Sequence, residues 1–181
     1  ELVETTEDNP YRREMTWKVF DEKSNRFANL LLSRGVRKDD KVALLLYNCI
    51  EWLPLYFGIL KTGATVVPLN FRYAADEIEY CLEKSDATIL VFGPEFIGRV
   101  EQIVPKIKKG RLLFYVGDDC PTWAESYREL AALCASTDPM IPLSEDEDAA
   151  IYYSSGTTGF PKAILHHHRS LTQAAEMEAV H

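Results

Sequence analysis

The stretch richest in chemical potential runs Ile151-Tyr152-Tyr153-Ser154-Ser155-Gly156-Thr157-Thr158-Gly159-Phe160-Pro161-Lys162-Ala163-Ile164-Leu165. Apolar arms flank a loop of small hydroxylic and glycine residues that ends in a lysine. Each residue type has a use against a polyphosphate. Gly156 and Gly159 reach backbone angles closed to other residues and let main-chain N–H groups approach an anion. Ser154, Ser155, Thr157 and Thr158 each carry a compact hydroxyl donor, and Lys162 supplies a positive charge. Charge-assisted hydrogen bonds contribute about 1.5–3 kcal/mol each, so three or four would hold a triphosphate at millimolar affinity or better. On composition alone, the alternative is a surface turn with an exposed lysine. A Walker A loop does not fit, because Pro161 stands five positions after Gly156 and Ala163 follows Lys162. The arms at 150–153 and 162–165 read as paired strands, which puts the loop at a hairpin tip rather than ahead of a helix.

Other reactive side chains point to blander roles. Glu145, Asp146, Glu147 and Asp148 lie together in a linker-like stretch, 136–148, that also holds Pro139 and Pro142. Consecutive carboxylates on a solvated loop rarely converge on one ion. His166, His167 and His168 are adjacent, so in a strand they alternate faces and in a helix they fan out by about 100° each. No metal site is expected from either group. Cys49, Cys81, Cys120 and Cys134 are 32, 39 and 14 positions apart, with no Cys-x-x-Cys pair. They are expected to be reduced, mostly buried thiols. Lys106, Lys108, Lys109 and Arg111 follow a helical stripe and are expected to complement the C-terminal end of that helix.

The elements that must position the loop alternate between two periodicities. Trp17, Phe20, Phe27, Ala28 and Leu31 recur at helical spacing, after Thr16 as an N-cap and before Gly35 as a stop. Residues 41–47 form a continuous apolar run, as in a strand buried on both faces. Asn48 and Glu51 resemble a capping box for a helix reaching Lys61 and stopping at Gly63, with Pro54 forcing a kink or a late start. Strands follow at 65–69, 88–92 and 112–116. Between and after them come a short helix through Ile78, Cys81 and Leu82, a stripe of Phe96, Val100, Ile103, Val104 and Ile107, and another of Trp123, Tyr127, Leu130, Ala131 and Cys134. Residues 171–181 read as a final helix. This rhythm predicts an α/β fold with a largely parallel sheet flanked by helices, ending in the hairpin loop and a helix.

Composition limits the classes. With 181 residues the chain is one domain, or one with an appendage. Hydrophobic residues make up 46% and charged residues 27%, as in globular proteins. Twenty Lys+Arg against 28 Asp+Glu give a net charge of −8, which argues against a nucleic-acid partner. No apolar stretch approaches the roughly 20 residues of a membrane span, and the first residues lack an export signal. A cytoplasmic location is expected.

In order and spacing, Tyr153 to Lys162 resembles the phosphate loop of the adenylate-forming superfamily, which comprises acyl-CoA synthetases, peptide-synthetase adenylation domains and firefly luciferase. Thr16-Trp17-Lys18-Val19-Phe20 is similar to that family's opening motif. Leu60-Lys61-Thr62-Gly63-Ala64-Thr65-Val66-Val67-Pro68-Leu69-Asn70 is similar to its second motif, and its Pro-Leu-Asn ending looks most like fatty-acid–CoA ligases. His168-Arg169 before Ser170-Leu171 fits the usual sequel to the loop. The likeness extends from about residue 12 onward. Ala163 departs from the family's glycine, a change that a strand position tolerates.

The resemblance implies ATP-dependent activation of a carboxylic acid, with CoA as acyl acceptor and Mg²⁺ as cofactor. It assigns Ser154, Ser155, Gly156, Thr157, Thr158, Gly159 and Lys162 to the ATP phosphates, and no catalytic residue within the chain. Later family motifs, including the C-terminal catalytic lysine, are absent. Residues 1–181 are therefore expected to be a partial N-terminal AMP-binding domain, inactive alone, from a protein that acts as a homodimer. Two competitors stand beside this reading: an adenylating ligase with a different acceptor or an amino-acid substrate, and a non-catalytic anion-binding module.

Overall fold

Four short apolar segments, Lys-Val-Ala-Leu-Leu, Thr-Val-Val-Pro, Ile-Leu-Val-Phe and Leu-Leu-Phe-Tyr, have no polar alternation and must be covered on both faces. They become the centre of a seven-stranded sheet in the computed structural model, which describes residues 2–6, 9–154 and 160–179, with side chains from Arg13 onward. In chain order the elements are β1 (Leu2–Thr6), β2 (Asn9–Met15), α1 (Trp17–Ser33), β3 (Lys41–Leu45), α2 (Trp52–Leu60), β4 (Thr65–Pro68), α3 (Ala75–Lys84) and β5 (Ile89–Phe92). There follow α4 (Ile97–Ile103), β6 (Leu112–Tyr115), β7 (Glu125–Ser126), α5 (Tyr127–Ala132), β8 (Asp148–Ser154), β9 (Lys162–His167) and α6 (His168–Ala179). The sheet order is β7-β6-β5-β3-β4-β8-β9, and every neighbouring pair is parallel except β8 with β9.

Alternation along β3 divides the core into two layers. Val42 and Leu44 face Phe27, Leu31, Leu55 and Ile59 of α1 and α2, while Ala43 and Leu45 join Ile78, Leu82, Val100 and Ile103 of α3 and α4. The helices of the first layer approach closely at Gly58, where an added Cβ would lie 2.8 Å from the Ser24 carbonyl oxygen.

Helix ends follow the expected chemistry in part. Thr16 caps α1 by accepting from the Val19 N–H, and Gly35 and Gly63 take positive φ after α1 and α2. Asn48 and Glu51 form no capping box. Instead, Glu51 pairs with Arg13 and caps α2 without a side-chain bond. The helix starts late, at Trp52, which places Pro54 in the first turn, where its missing N–H costs nothing.

Two further expectations change, and one element is added. β1 and β2 form a separate antiparallel pair that the polar sequence did not suggest. Helix α5 begins only at Tyr127, and Trp123 stacks on Phe92 across 5.4 Å instead of extending the helical stripe. The basic cluster does not serve the end of α4. Arg111, its side chain 1% exposed, donates to the carbonyls of Ala87 (2.7 Å) and Leu82 (3.3 Å) and pairs with Glu83. Lys108 pairs with Asp86, just past the same helix, so Arg111 and Lys108 serve the C-terminal end of α3, while Lys106 reaches Glu79 within it.

Candidate functional site

Apolar arms around a Gly/Ser/Thr loop fold as the hairpin they suggest. β8 runs parallel to β4 and delivers Ser154 to the carboxyl edge of the sheet, the edge where α/β folds bind ligands. β9 returns antiparallel, in the register Tyr153↔Ala163 and Ser154↔Lys162. Ser154 and Lys162, eight positions apart in sequence, are thus cross-strand partners. Ser154 is half-buried and Lys162 exposed. Ala163 lies in extended strand, where its methyl group is no burden. Ser155, Gly156, Thr157, Thr158 and Gly159 lie outside the described residues.

The hairpin is tied to both helical layers, because consecutive strand residues point to opposite faces. Tyr152 turns towards α2, its hydroxyl 2.8 Å from that of Tyr56, whose ring stacks on Trp52 at 5.2 Å. Tyr153 turns towards α3 and donates to the Cys81 carbonyl at 2.8 Å. Beyond the loop, the Phe160 ring stacks on Tyr80 at 4.5 Å and 25°. Burial pushes the Tyr56 and Tyr153 hydroxyls well above the usual phenol range, so both stay protonated. Burial also pushes the Cys81 thiol up to about 12, which makes it a packing group and not a nucleophile. The sequence places Cys81 on a helix and Tyr153 and Phe160 at the loop, but it marks none of these contacts and does not mark Tyr80 at all. The available signal was the adjacent Tyr152-Tyr153 pair, which a strand must split between two layers.

Acids and histidines before and after the hairpin hold its outer side together. Arg169 of α6 binds Asp146 (2.7 Å) and Glu145 (2.9 Å), Lys38 binds Glu147 (2.6 Å), and His167 Nδ1 lies 3.1 Å from Asp148. His166 packs edge-on against the Tyr152 ring. Burial holds the His168 imidazole below its ordinary range, with Glu147 pulling the other way. Among the described residues no three His, Cys, Asp or Glu side chains converge where a metal ion could sit. None of the described helices is long and apolar enough to cross a membrane.

A family model described as "AMP-binding enzyme" matches residues 4–181. The chain belongs to the AMP-binding enzyme family. Among its relatives, the medium/long-chain-fatty-acid–CoA/3-oxocholest-4-en-26-oate–CoA ligase of Mycolicibacterium smegmatis is 36% identical over 87% of this chain and 29% of its own length. The 3-hydroxybenzoate–CoA/4-hydroxybenzoate–CoA ligase of Thauera aromatica is 33% identical over 92% of this chain and 32% of its own. The crystal structure of the anthranilate CoA ligase AuaEII with anthranoyl-AMP superposes with a TM-score of 0.87 at 30% identity, covering 91% of this chain and 32% of that one. This AMP-binding chain therefore spans about a third of the length of the relatives it matches.

Proposed function

We propose that residues 1–181 form part of the N-terminal AMP-binding domain of an ATP-dependent acyl-CoA ligase, with the C-terminal domain lying outside them. The observation that carries this reading is the Ser154–Lys162 pairing in a family member: it closes a hydroxyl- and glycine-rich segment at the carboxyl edge of the sheet. In the proposed reaction the substrate carboxylate attacks the α-phosphate of ATP, pyrophosphate leaves and an acyl-adenylate forms. The CoA thiol then attacks the acyl carbonyl, and AMP leaves. Ser154, Ser155, Gly156, Thr157, Thr158, Gly159 and Lys162 hold the β- and γ-phosphates, with Thr157 and Thr158 as the principal hydroxyl donors. Placement and charge neutralisation dominate such transfers, which suits a donor-rich loop ending in a cation. Mg²⁺ belongs to the same reading, where it would offset the charge of the bound phosphates; among the described residues no three His, Cys, Asp or Glu side chains converge. Cytoplasmic location and association into a homodimer form part of the proposal.

The acid proposed is an aliphatic monocarboxylate, supported by the Pro68-Leu69-Asn70 ending and by the fatty-acid ligase among the relatives. An aromatic acid is the second reading, favoured by the hydroxybenzoate and anthranilate ligases. Pyrophosphate exchange by the full-length protein with decanoate, 4-hydroxybenzoate and an amino acid separates them. The proposal expects decanoate to lead, and a clear preference for the amino acid would move the protein to the peptide-synthetase branch. The 181 residues alone should release no AMP from ATP, CoA and fatty acid.

A further inference from the structure

The two ends of the hairpin loop rest on consecutive residues of one helix. Upstream, the Tyr153 hydroxyl donates to the Cys81 carbonyl at 2.8 Å; downstream, Phe160 stacks on Tyr80 at 4.5 Å. Helix α3 is a firm post for both contacts, since Ile78, Cys81 and Leu82 are fully buried and Arg111 binds the carbonyl of Leu82 near its C-terminal end. Phe160 itself is 50% exposed, more than a ring whose purpose is core packing would be. It stands two residues before Lys162, so its position governs where that lysine enters β9.

We propose that Tyr80 is a positioning residue for the ATP phosphates, acting through Phe160 to set the placement of Lys162 against Ser154. This rests on the reading of the 154–162 segment as the phosphate site. An aromatic pair of this geometry is worth a roughly 2- to 12-fold effect when it is lost. Its loss should fall on ATP, because Phe160 leads directly into Lys162 of the phosphate segment.

The test uses the full-length enzyme with Tyr80→Ala, Tyr80→Phe, Phe160→Ala, the double Tyr80→Ala/Phe160→Ala and Lys162→Ala. Tyr80→Ala should lower kcat/KM for ATP by roughly 2- to 12-fold, weaken ATP binding in calorimetry in parallel, and leave the KM for the acid unchanged. Tyr80→Phe, which keeps the ring, should restore wild-type values. Phe160→Ala should match Tyr80→Ala, and the double variant should add nothing further, since both remove one contact. If Tyr80→Ala fails to fold, the half-exposed Phe160→Ala decides the matter by the same readouts. Unchanged ATP kinetics, or additive losses in the double variant, would overturn the proposal while a Lys162→Ala defect left the phosphate site standing. Normal ATP use by Lys162→Ala would instead remove the phosphate site itself.

Discussion

Ser154 and Lys162 face each other across the open end of the β8–β9 ladder, at the last position where the two strands pair. Opposite residues of an antiparallel pair place their Cβ atoms about 4.5–5.5 Å apart on the same face of the sheet. A hydroxyl donor and a cation therefore sit side by side where the loop departs, close enough to contact one phosphate group together. The strand pairing creates this adjacency, and the tyrosines on either side of the sheet hold it in place.

Removing one hydroxyl from the Tyr56–Tyr152 pair should be worse than removing both. Tyr152→Phe strands the buried Tyr56 hydroxyl and should cost about 1–3 kcal/mol in urea unfolding. The double variant Tyr56→Phe/Tyr152→Phe should recover most of that loss. Additive destabilisation would show that the hydroxyls do not depend on each other.

Arg111 and Lys108 are near neighbours of the same charge with different work. Arg111→Ala leaves the Leu82 and Ala87 carbonyls without their cation and should cost about 1.5–3 kcal/mol of stability. Lys108→Ala removes a surface pair with Asp86 and should leave the melting temperature unchanged. Equal effects would contradict the assignment of Arg111 to the end of α3.

Much of this architecture is legible in the sequence, and the illegible parts share a physical cause. The parallel strands announce themselves because a strand covered on both faces is built almost wholly of apolar residues, as at Val42-Ala43-Leu44-Leu45, with Thr65 of β4 a buried exception. The hairpin arms are visible for a related reason: apolar runs stop abruptly at glycine and hydroxyl residues. What the sequence hides is choice between partners. Glu51 has the right spacing to cap α2 but is taken by Arg13, 38 positions away. Trp123 has helical spacing to Tyr127 but finds a flat ring in Phe92. Tyr80 and Phe160 meet across 80 positions, and no local pattern marks either. Strands β1 and β2 pair through main chain in a polar segment, which leaves no hydrophobic trace.

Stability should decline at alkaline pH, beginning near 9. Burial, aided by Glu77, raises the Cys81 thiol from 9.0 to about 12, and burial raises Tyr73 from 10.0 to about 12. Between pH 9 and 12 the unfolded chain therefore releases protons that the folded chain keeps, so unfolding becomes easier as pH rises. Below 9 these groups contribute no slope. Burial raises the Cys120 thiol as well, so in urea titrations across this range Cys81→Ala should make the decline between 9 and 10 shallower without abolishing it. A decline of unchanged steepness between 9 and 10 in Cys81→Ala would contradict the account.

The most direct test of the proposed phosphate site is ATP–pyrophosphate exchange by the full-length protein carrying Lys162→Ala. Losing one charge-assisted contact costs about 1.5–3 kcal/mol, so exchange should fall roughly 10- to 150-fold with an unchanged melting temperature. Thr157→Ala, which removes a neutral donor, should lose less, and Lys108→Ala should behave as wild type. Normal exchange by Lys162→Ala, with a defect in Lys108→Ala instead, would contradict the assignment of this loop to the ATP phosphates.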